Sequence, residues 1–253
     1  MFKVNNFLDN DDIIVKQEMG PFKVIEYVKD LSVSLNSAQA AYFASEMNIR
    51  KRQLVCEIGG SNLTLQAGAM QWSLGDVNAT TGVKGVGDLL GKAIRGVVTK
   101  ESAIKPEYTG NGIVVTEPTY KHLIISNIQE WNGNVVLDDG LFVACDSNLK
   151  HKTVMRSNLS SATLGNEGLF NLSLSGTNEY FVIESPVPKE ELVEIELVND
   201  QIRIDGPLAI AWSTSLKFTV ERSGKSLIRS AASGEGLVNV YRGTGKIWIT
   251  PVI

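Results

Sequence analysis

The sequence predicts an all-β protein that contains three related β-sandwich units, and repeated segments are the first observation behind this prediction. Leu141–Cys145 corresponds to Leu208–Trp212 further along the chain, and Glu167–Asn171 corresponds to Glu235–Asn239. Order and separation are kept between the two copies, which is the signature of repeated structural units. A second observation is that short apolar runs recur at intervals of about 6 to 12 residues, separated by turn residues, which favours sandwiches or barrels over βαβ units.

A fainter third copy lies upstream of the other two. Gly68–Trp72 is followed by Glu101–Ile104 and then by Thr109–Ile113, in the order of the later copies. Each copy closes at a proline, and these are Pro118, Pro186 and Pro251. We therefore expect a three-repeat β domain over residues 54–253 with a pseudo-threefold arrangement, divided into units at about 54–118, 119–186 and 187–253.

Residues 1–53 predict an amino-terminal arm of a different character. Val24–Val28 and Leu31–Leu35 have strand patterns, and the stretch at about 37–49 predicts one short helix because neither glycine nor proline interrupts it. Its apolar side favours docking on the protein's own core, with binding of a partner as the alternative; this side carries Ala40, Phe43, Ala44 and Met47. The following Arg50–Arg52 run is typical of a helix carboxyl terminus, where cations favour the helix dipole.

Composition limits the functional classes. The chain has 253 residues, a net charge of -4 and 21% charged residues, which are ordinary values for a globular protein. Nucleic acid is an unfavourable partner because no basic domain or stripe is present. We expect Cys56 and Cys145 to be reduced core residues, and Trp72 and Trp212, which align with Cys145, to be core residues as well. The expected location is the cytoplasm, with a peripheral position at a membrane as the alternative.

The motifs that could carry chemistry do not fit established sites. The glycine-rich run Gly82–Lys92 has neither the spacing of a phosphate-binding loop nor that of a dinucleotide fingerprint. His122 and His151 have no metal-ligand spacing to the two cysteines, and no nucleophile motif is present. We therefore expect no catalytic residues, no metal and no cofactor.

Two sets of residues remain as candidate sites. Glu101, Glu167 and Glu235 occupy matching positions in the three units, so a threefold arrangement could bring their carboxylates together on the axis. The alternative is that each glutamate supports a turn. Asp88–Val98 could form a short cationic amphipathic helix that contacts a membrane or partner, or a packed connector; its candidate contact residues are Lys92, Ile94 and Arg95.

Several of these segments together resemble a known family. Gly85–Gly91, Asp139–Ala144, Gly168–Phe170 and above all Ser233–Gly245 are similar to the altered inheritance of mitochondria protein twenty-four family, also described as mitochondrial biogenesis proteins. The resemblance covers about residue 54 to the end. It implies a fold like that of the tryptophan RNA-binding attenuation protein, with three such units in one chain, and a bacterial setting. It transfers no catalytic residues.

We therefore expect a non-enzymatic structural or interaction module that self-associates and contacts a protein or membrane surface. The alternative is a protein that binds a small ligand or RNA in the clefts between repeats. A hydrolase with an unrecognised site is a third and weaker alternative. Fold analogy alone cannot decide among them, because one fold hosts many functions.

Overall fold

A computed structural model describes residues 2–80, 105–155, 170–222 and 237–251. These residues form sixteen β-strands, two short 3-10 helices (Ile128–Trp131 and Lys189–Glu191) and one α-helix, α1 (Ala38–Glu46). The predicted all-β class with one short helix in the amino-terminal arm is therefore confirmed. Within this part of the chain, no helix is long and apolar enough to cross a membrane.

The strands belong to two antiparallel sheets, which follow each other along the chain with some interleaving. The first sheet contains nine strands: β1 (Ile13–Met19), β2 (Phe22–Tyr27), β3 (Arg52–Ile58), β4 (Leu63–Leu65), β5 (Met70–Thr80), β6 (Glu107–Thr116), β7 (His122–Asn127), β9 (Phe142–Asp146) and β12 (Tyr180–Ser185). The second sheet contains seven: β8 (Asn134–Leu137), β10 (Lys150–Met155), β11 (Phe170–Ser175), β13 (Val193–Ile204), β14 (Ala209–Ser213), β15 (Lys217–Arg222) and β16 (Leu237–Ile249).

A side chain joins the two ends of the first sheet. The strand order runs β1-β2-β3-β6-β4-β9-β12-β7, so β1 and β7 are its terminal strands. The Gln17 Nε2 donates to the Ile125 carbonyl oxygen at 2.9 Å, and the Ile125 N–H donates to Gln17 Oε1 at 3.0 Å. The primary amide of Gln17 thus replaces the backbone of a strand partner, because it offers one donor and one acceptor. The sheet closes on itself around the first core.

The amino-terminal arm is part of this closed sheet. The predicted boundary between residues 53 and 54 lies within β3, and β2 pairs with β3 from Phe22 to Glu26. The sequence patterns did not identify β1. The predicted strand at Leu31–Leu35 is wrong, because Asp30 accepts hydrogen bonds from the backbone N–H and hydroxyl of Ser32 and fixes a turn there. Such local side-chain bonds compete with strand pairing.

The buried apolar residues form separate cores along the chain. The first is enclosed by the closed sheet and contains Cys56, while Cys145 lies in the second. Both cysteines are fully buried and free, as predicted, and burial raises the pKa of both thiols far above the usual value. Trp212 is buried in the third core, whereas Trp72 is half-buried on the outer side of the first sheet.

An aromatic pair joins β16 to the 3-10 helix Ile128–Trp131. Trp131 and Trp248 are both fully buried, and their ring centroids lie 4.8 Å apart in an edge-to-face arrangement. The Lys246 ammonium lies 4.6 Å from the Trp131 centroid, and the Trp248 indole N–H donates to the Glu194 carboxylate at 2.5 Å. The Trp131 indole N–H donates to the Ser126 hydroxyl at 3.1 Å, so both indole donors of the pair are satisfied inside a closely packed contact.

Candidate interaction surface

The connection between β2 and β3 carries the most exposed apolar side chains of the described chain. It contains α1 and the turn before it, and six large apolar residues there are between 53% and 92% exposed. They are Leu31, Leu35, Tyr42, Phe43, Met47 and Ile49. We call these six residues and the backbone that carries them the α1 surface. Isolated exposed apolar residues are normal, but six of them in one connection between strands make it a candidate interaction site.

The orientation of α1 explains this exposure. Ala41, Ala44 and Ser45 are its partly buried positions, and no residue of the helix is fully buried. Small side chains therefore face the protein, while Phe43 and Met47, one turn apart, face outward. The prediction that Ala40, Phe43, Ala44 and Met47 dock on the core is wrong for Ala40, Phe43 and Met47, which are exposed, and Ala44 is only partly buried. The sequence period identified an apolar stripe but could not show that β2 and β3 already fill the first core.

A buried ion pair network fixes the base of α1 to the sheet. Glu26 in β2 is 1% exposed, and its two carboxylate oxygens accept hydrogen bonds from the side chains of Arg50 and Arg52. Arg52 donates through Nε at 2.9 Å and its Nη2 lies 2.8 Å from the carboxylate in an ion pair, while Arg50 donates through Nη1 at 3.1 Å. A buried carboxylate requires such pairing, because an unpaired charge in this position would carry a large desolvation cost.

The same arginines also bond to the carboxyl end of the helix. Arg50 Nε donates to the Ser45 carbonyl oxygen at 3.1 Å, and Arg52 Nη2 donates to the Asn48 carbonyl oxygen at 2.9 Å. Asn48 has a φ of 62°, the left-handed conformation that commonly ends a helix. Lys51 forms an ion pair with Asp30 at 2.6 Å. All three cations of the Arg50–Arg52 run are therefore engaged within the chain.

The α1 surface is almost free of charge. Between Leu31 and Ile49 the chain contains one charged residue, Glu46. The six side chains present together on the order of 800 Å² of accessible surface, taking roughly 200 Å² for each fully exposed side chain of this size. That area is comparable with the roughly 800 Å² that one partner contributes to a stable protein interface. Few charges and exposed aromatic side chains are the composition of an interface centre.

A cleft of about 420 Å³ lies where the first and second predicted units meet. Leu123, Phe142 and Val143 contribute apolar walls to it. The Glu184 carboxylate accepts a hydrogen bond from the Thr119 hydroxyl at 2.5 Å and forms an ion pair with Lys121. The cleft has the volume of a small-molecule site, but its best-placed charged group is already satisfied by neighbouring side chains.

The candidate residues predicted from the sequence lie outside the described residues. This holds for Glu101, Glu167 and Glu235 and also for Lys92, Ile94 and Arg95. Within the described ranges, no group of three or more histidine, cysteine, aspartate or glutamate side chains could hold a metal ion. His122 is half-buried, and desolvation together with the nearby Arg52 lowers the pKa of its imidazole. The sequence patterns did not indicate the surface to which Leu31, Leu35 and Tyr42 belong. The scarcity of charged residues around them is the signal in the sequence that points to it.

The carboxyl-terminal motif contains an arginine that organises one face of the second sheet. Arg242 donates two parallel hydrogen bonds to Glu221, from Nη1 at 2.5 Å and from Nη2 at 2.7 Å. Its Nε donates to Gln201 on β13, so one guanidinium links the side chains of β13, β15 and β16. These hydrogen bonds lower the pKa of the Glu221 carboxyl to about 2, from an ordinary value of 4.5.

Glu221 is therefore expected to contribute to the acid sensitivity of folding. A carboxyl with a lowered folded-state pKa stabilises the fold above its unfolded pKa, and this contribution is lost as the pH falls through the folded value. In Glu221→Gln we expect the unfolding free energy to fall less steeply between pH 4.5 and about 2 than in the parent. Denaturant unfolding at a series of pH values measures this slope. Glu196→Gln, at an exposed β13 position, is the matched control, and equal slopes in parent and Glu221→Gln would contradict the assignment.

Fold and surface together define a class: an antiparallel β protein of successive cores that presents a helix with exposed apolar side chains. The family described as mitochondrial biogenesis AIM24 matches residues 46–252, which is most of the chain. The chain therefore belongs to the mitochondrial biogenesis AIM24 family, and the resemblance found in the sequence motifs is confirmed.

Two relatives come from Streptococcus pyogenes. An uncharacterised protein of a serotype M6 strain is 27% identical over 197 residues, which are 75% of this chain and 77% of the relative. A crystal structure of a Streptococcus pyogenes protein is similar with a TM-score of 0.59 and 25% identity. That likeness covers 81% of this chain and 90% of the other. Both relatives are bacterial, and their descriptions state no activity.

Proposed function

We propose that this protein is a non-enzymatic interaction module made of three related β units, and that it self-associates through the α1 surface. The observation that carries the proposal is the exposure of six large apolar side chains in and next to α1, a helix whose base is fixed by a buried ion network. A rigid mount for an exposed apolar group reduces the conformational entropy lost on binding. The buried ion pairs thus hold in place a surface that is not part of the protein's own core.

Strand positions support the three-unit organisation. β9 and β14 begin at Phe142 and Ala209, while β10 and β15 begin at Lys150 and Lys217, so each pair has the same displacement along the chain. The two corresponding strands also have equal lengths in each case, β9 with β14 and β10 with β15. These displacements equal the spacing of the repeated sequence segments, as expected when each copy of a repeat forms the same strands.

Pairing partners support the same organisation. β12 pairs with β7 and β9, and the final half of β16 pairs in the same way with the first half of β13 and with β14. β6 pairs likewise with β3 and with the start of β5. Adjacent units are joined by β4 with β9 and by β8 with β14. A row of units in which each contacts its neighbours is typical of repeat proteins.

A second copy of the chain is the partner that fits the α1 surface best. A symmetric interface brings the same patch of both copies together, so a charged patch would repel itself. The α1 surface avoids this because Glu46 is its one charged residue. The exposed apolar area also matches what each partner of a standard dimer contributes.

An anionic membrane fits this surface less well. Attraction to anionic lipids depends on cations near the bilayer surface. Around α1 the cations are paired: Arg50 and Arg52 with Glu26, Lys51 with Asp30, and Lys29 with Asp12. The α1 surface therefore supplies apolar contact but little of the charge that such a membrane requires.

The double variant Phe43→Asp with Met47→Asp tests the self-association. Light scattering of the parent is expected to give twice the chain mass of 27.5 kDa, and the variant is expected to give a single chain mass, because burying two carboxylates in an apolar interface is unfavourable. Val198→Asp places the same charge on an exposed valine of β13 and is expected to keep the parent mass. Circular dichroism verifies that all three proteins are folded.

Two outcomes would overturn the proposal. One is a parent mass of a single chain across the concentration range, and the other is a dimer that the double variant leaves intact. Flotation with vesicles of phosphatidylcholine and phosphatidylserine is measured in parallel. Flotation of a single-chain parent that is lost in the double variant would reassign the α1 surface to a membrane.

A further inference from the structure

At each contact between adjacent units, the later unit contributes buried side chains to the core of the unit before it. The first unit differs from the other two in this respect. In the second unit, Val182 lies between Ile125 and Ala144 on neighbouring strands. All three side chains are buried in the core of the first unit, beside residues such as Leu54. The second unit therefore closes the core of the unit before it. This inference rests on the three-unit organisation proposed above.

The third unit obeys the same rule. Trp248 pairs with Ala211, and both are buried in the core of the second unit with Trp131. Trp248 occupies the position of Val182, since each lies on the last strand of its unit and pairs with the strand that starts at Phe142 or Ala209. One face of each unit thus packs against the core of its predecessor.

In this sequence the arm rather than another unit stands before the first unit, and it covers the corresponding face. Val115 pairs with Val55 and with Trp72, in the arrangement of Val182 with its two neighbours. Val55 and Val115 are nevertheless fully buried, in a small cluster to which Ile13 and Phe7 belong. The Phe7 and Trp72 ring centroids lie 5.3 Å apart, edge to face.

The segment that provides Phe7 is held by short-range hydrogen bonds. The Phe7 N–H donates to Asp9 Oδ1, the Asn10 N–H donates to the Phe7 carbonyl oxygen, and the Asp12 N–H donates to Asn10 Oδ1. Phe2 extends the apolar cover, because an added Cβ on Gly75 in β5 would lie 3.1 Å from its ring. Apolar contact rather than strand pairing therefore joins residues 2–10 to the first unit.

The third unit, at the opposite end of the row, carries a charged residue where the first two units have buried uncharged ones. Thr64 of β4 and Val136 of β8 are buried, and each pairs with the next unit, opposite Cys145 and Trp212. In the third unit, the last part of β13 takes the place of β8: it pairs with β16, whereas β8 pairs with β11. The residue of β13 that corresponds to Val136 is Arg203, which is exposed. A charged side chain at an open strand edge opposes pairing with another strand.

We infer that residues 2–10 and Arg203 are end caps, and that the surfaces which they block fit a second copy of this chain. With the caps removed, the last part of β13 in one copy pairs with the start of β5 in another. The third unit of the first copy then receives the Val55, Val115 and Trp72 face of the second copy. The contact repeats head to tail the junction that the chain already makes twice within itself. Terminal repeats with polar outer faces keep other repeat proteins from stacking in this way.

The first test removes both caps in the Phe43→Asp, Met47→Asp background, so that the α1 surface does not contribute to the mass. Deletion of residues 2–10 combined with Arg203→Val is expected to give light-scattering masses that rise with concentration in whole multiples of the chain mass. Arg203→Val alone, with residues 2–10 present, is the matched control and is expected to keep the mass of its background. A folded uncapped variant with that same unchanged mass would overturn the inference.

A disulfide test reports the geometry directly and does not depend on the α1 interface. If β5 and β13 pair as β14 and β8 do, Ser73 lies opposite Arg203, in the place of Trp212 opposite Val136. Ser73→Cys in a chain that lacks residues 2–10 is mixed with a full-length chain that carries Arg203→Cys. Oxidation is expected to link the two chains of unequal length, and the link is expected to disappear when residues 2–10 are restored. No linked pair from folded chains, or equal linking with the cap present, would overturn the inference.

Discussion

Glu26→Ala is expected to destabilise the fold by about 3 to 5 kcal/mol, which is the usual cost of removing one partner of a buried ion pair. The substitution leaves Arg52, itself buried, without the carboxylate that accepts its Nε hydrogen bond and pairs with its charge. Arg50 loses its bond to the same carboxylate. Urea unfolding followed by tryptophan fluorescence measures the loss as a change in the free energy of unfolding.

The control for this substitution is an ion pair of similar length at the surface. Lys121→Ala breaks the exposed contact with Glu184 and is expected to cost less than about 1 kcal/mol. A Glu26→Ala protein that unfolds within 1 kcal/mol of the Lys121→Ala protein would contradict the assigned role of the network. Hydrogen exchange adds a local measurement, since the amides of α1 are expected to exchange faster once the base of the helix is released.

Trp248→Ala is expected to cost about 3 to 5 kcal/mol, because it removes a buried ring and leaves a cavity in the second core. Trp131 loses its edge-to-face partner, and Glu194 loses the indole donor. Because Trp248 belongs to β16 but packs in the second core, the loss is expected across the whole unfolding transition rather than in a separate local step. Urea unfolding at two wavelengths tests both the size and the cooperativity of the change.

Tyr120→Ala is the matched aromatic control, because Tyr120 is mostly exposed. It is expected to change the free energy of unfolding by no more than about 0.5 kcal/mol. Trp248→Phe keeps an aromatic ring but removes the N–H donor to Glu194, so its cost separates packing from hydrogen bonding. A Trp248→Ala loss as small as that of Tyr120→Ala would show that the two units do not depend on this contact.

The end-cap inference and the α1 proposal describe two different uses of apolar surface. In the proposed organisation, Phe7 covers a face whose counterparts in the later units are buried against a neighbour, so the arm takes the place of a neighbouring unit. The α1 surface has no such counterpart, because α1 is the one α-helix of the described residues. A surface that lies outside the repeat pattern and stays exposed is where a function particular to this arm is expected.

Local sequence patterns were sufficient for many of the strands, although not for β1, because period and turn chemistry act over a few residues. The repeated segments Leu141–Cys145 and Leu208–Trp212 overlap two strands of equal length, Phe142–Asp146 and Ala209–Ser213. α1 also formed where a run of good helix formers predicted it, although it is shorter than expected. The burial of Cys56 and Cys145 followed from the usual behaviour of free cysteines in a large core.

The sequence by itself thus determined the all-β class, the family and the position of the one helix, because alternation, turn residues and specific motifs are properties of short segments. Tertiary structure alone decided which apolar residues stay exposed. Phe43 and Val55 look equally suited to a core, but Phe43 faces outward while Phe7 covers the cluster around Val55. Burial depends on what the rest of the chain already fills, and the pairing of Glu26 with Arg52 joins residues whose closeness no local pattern records.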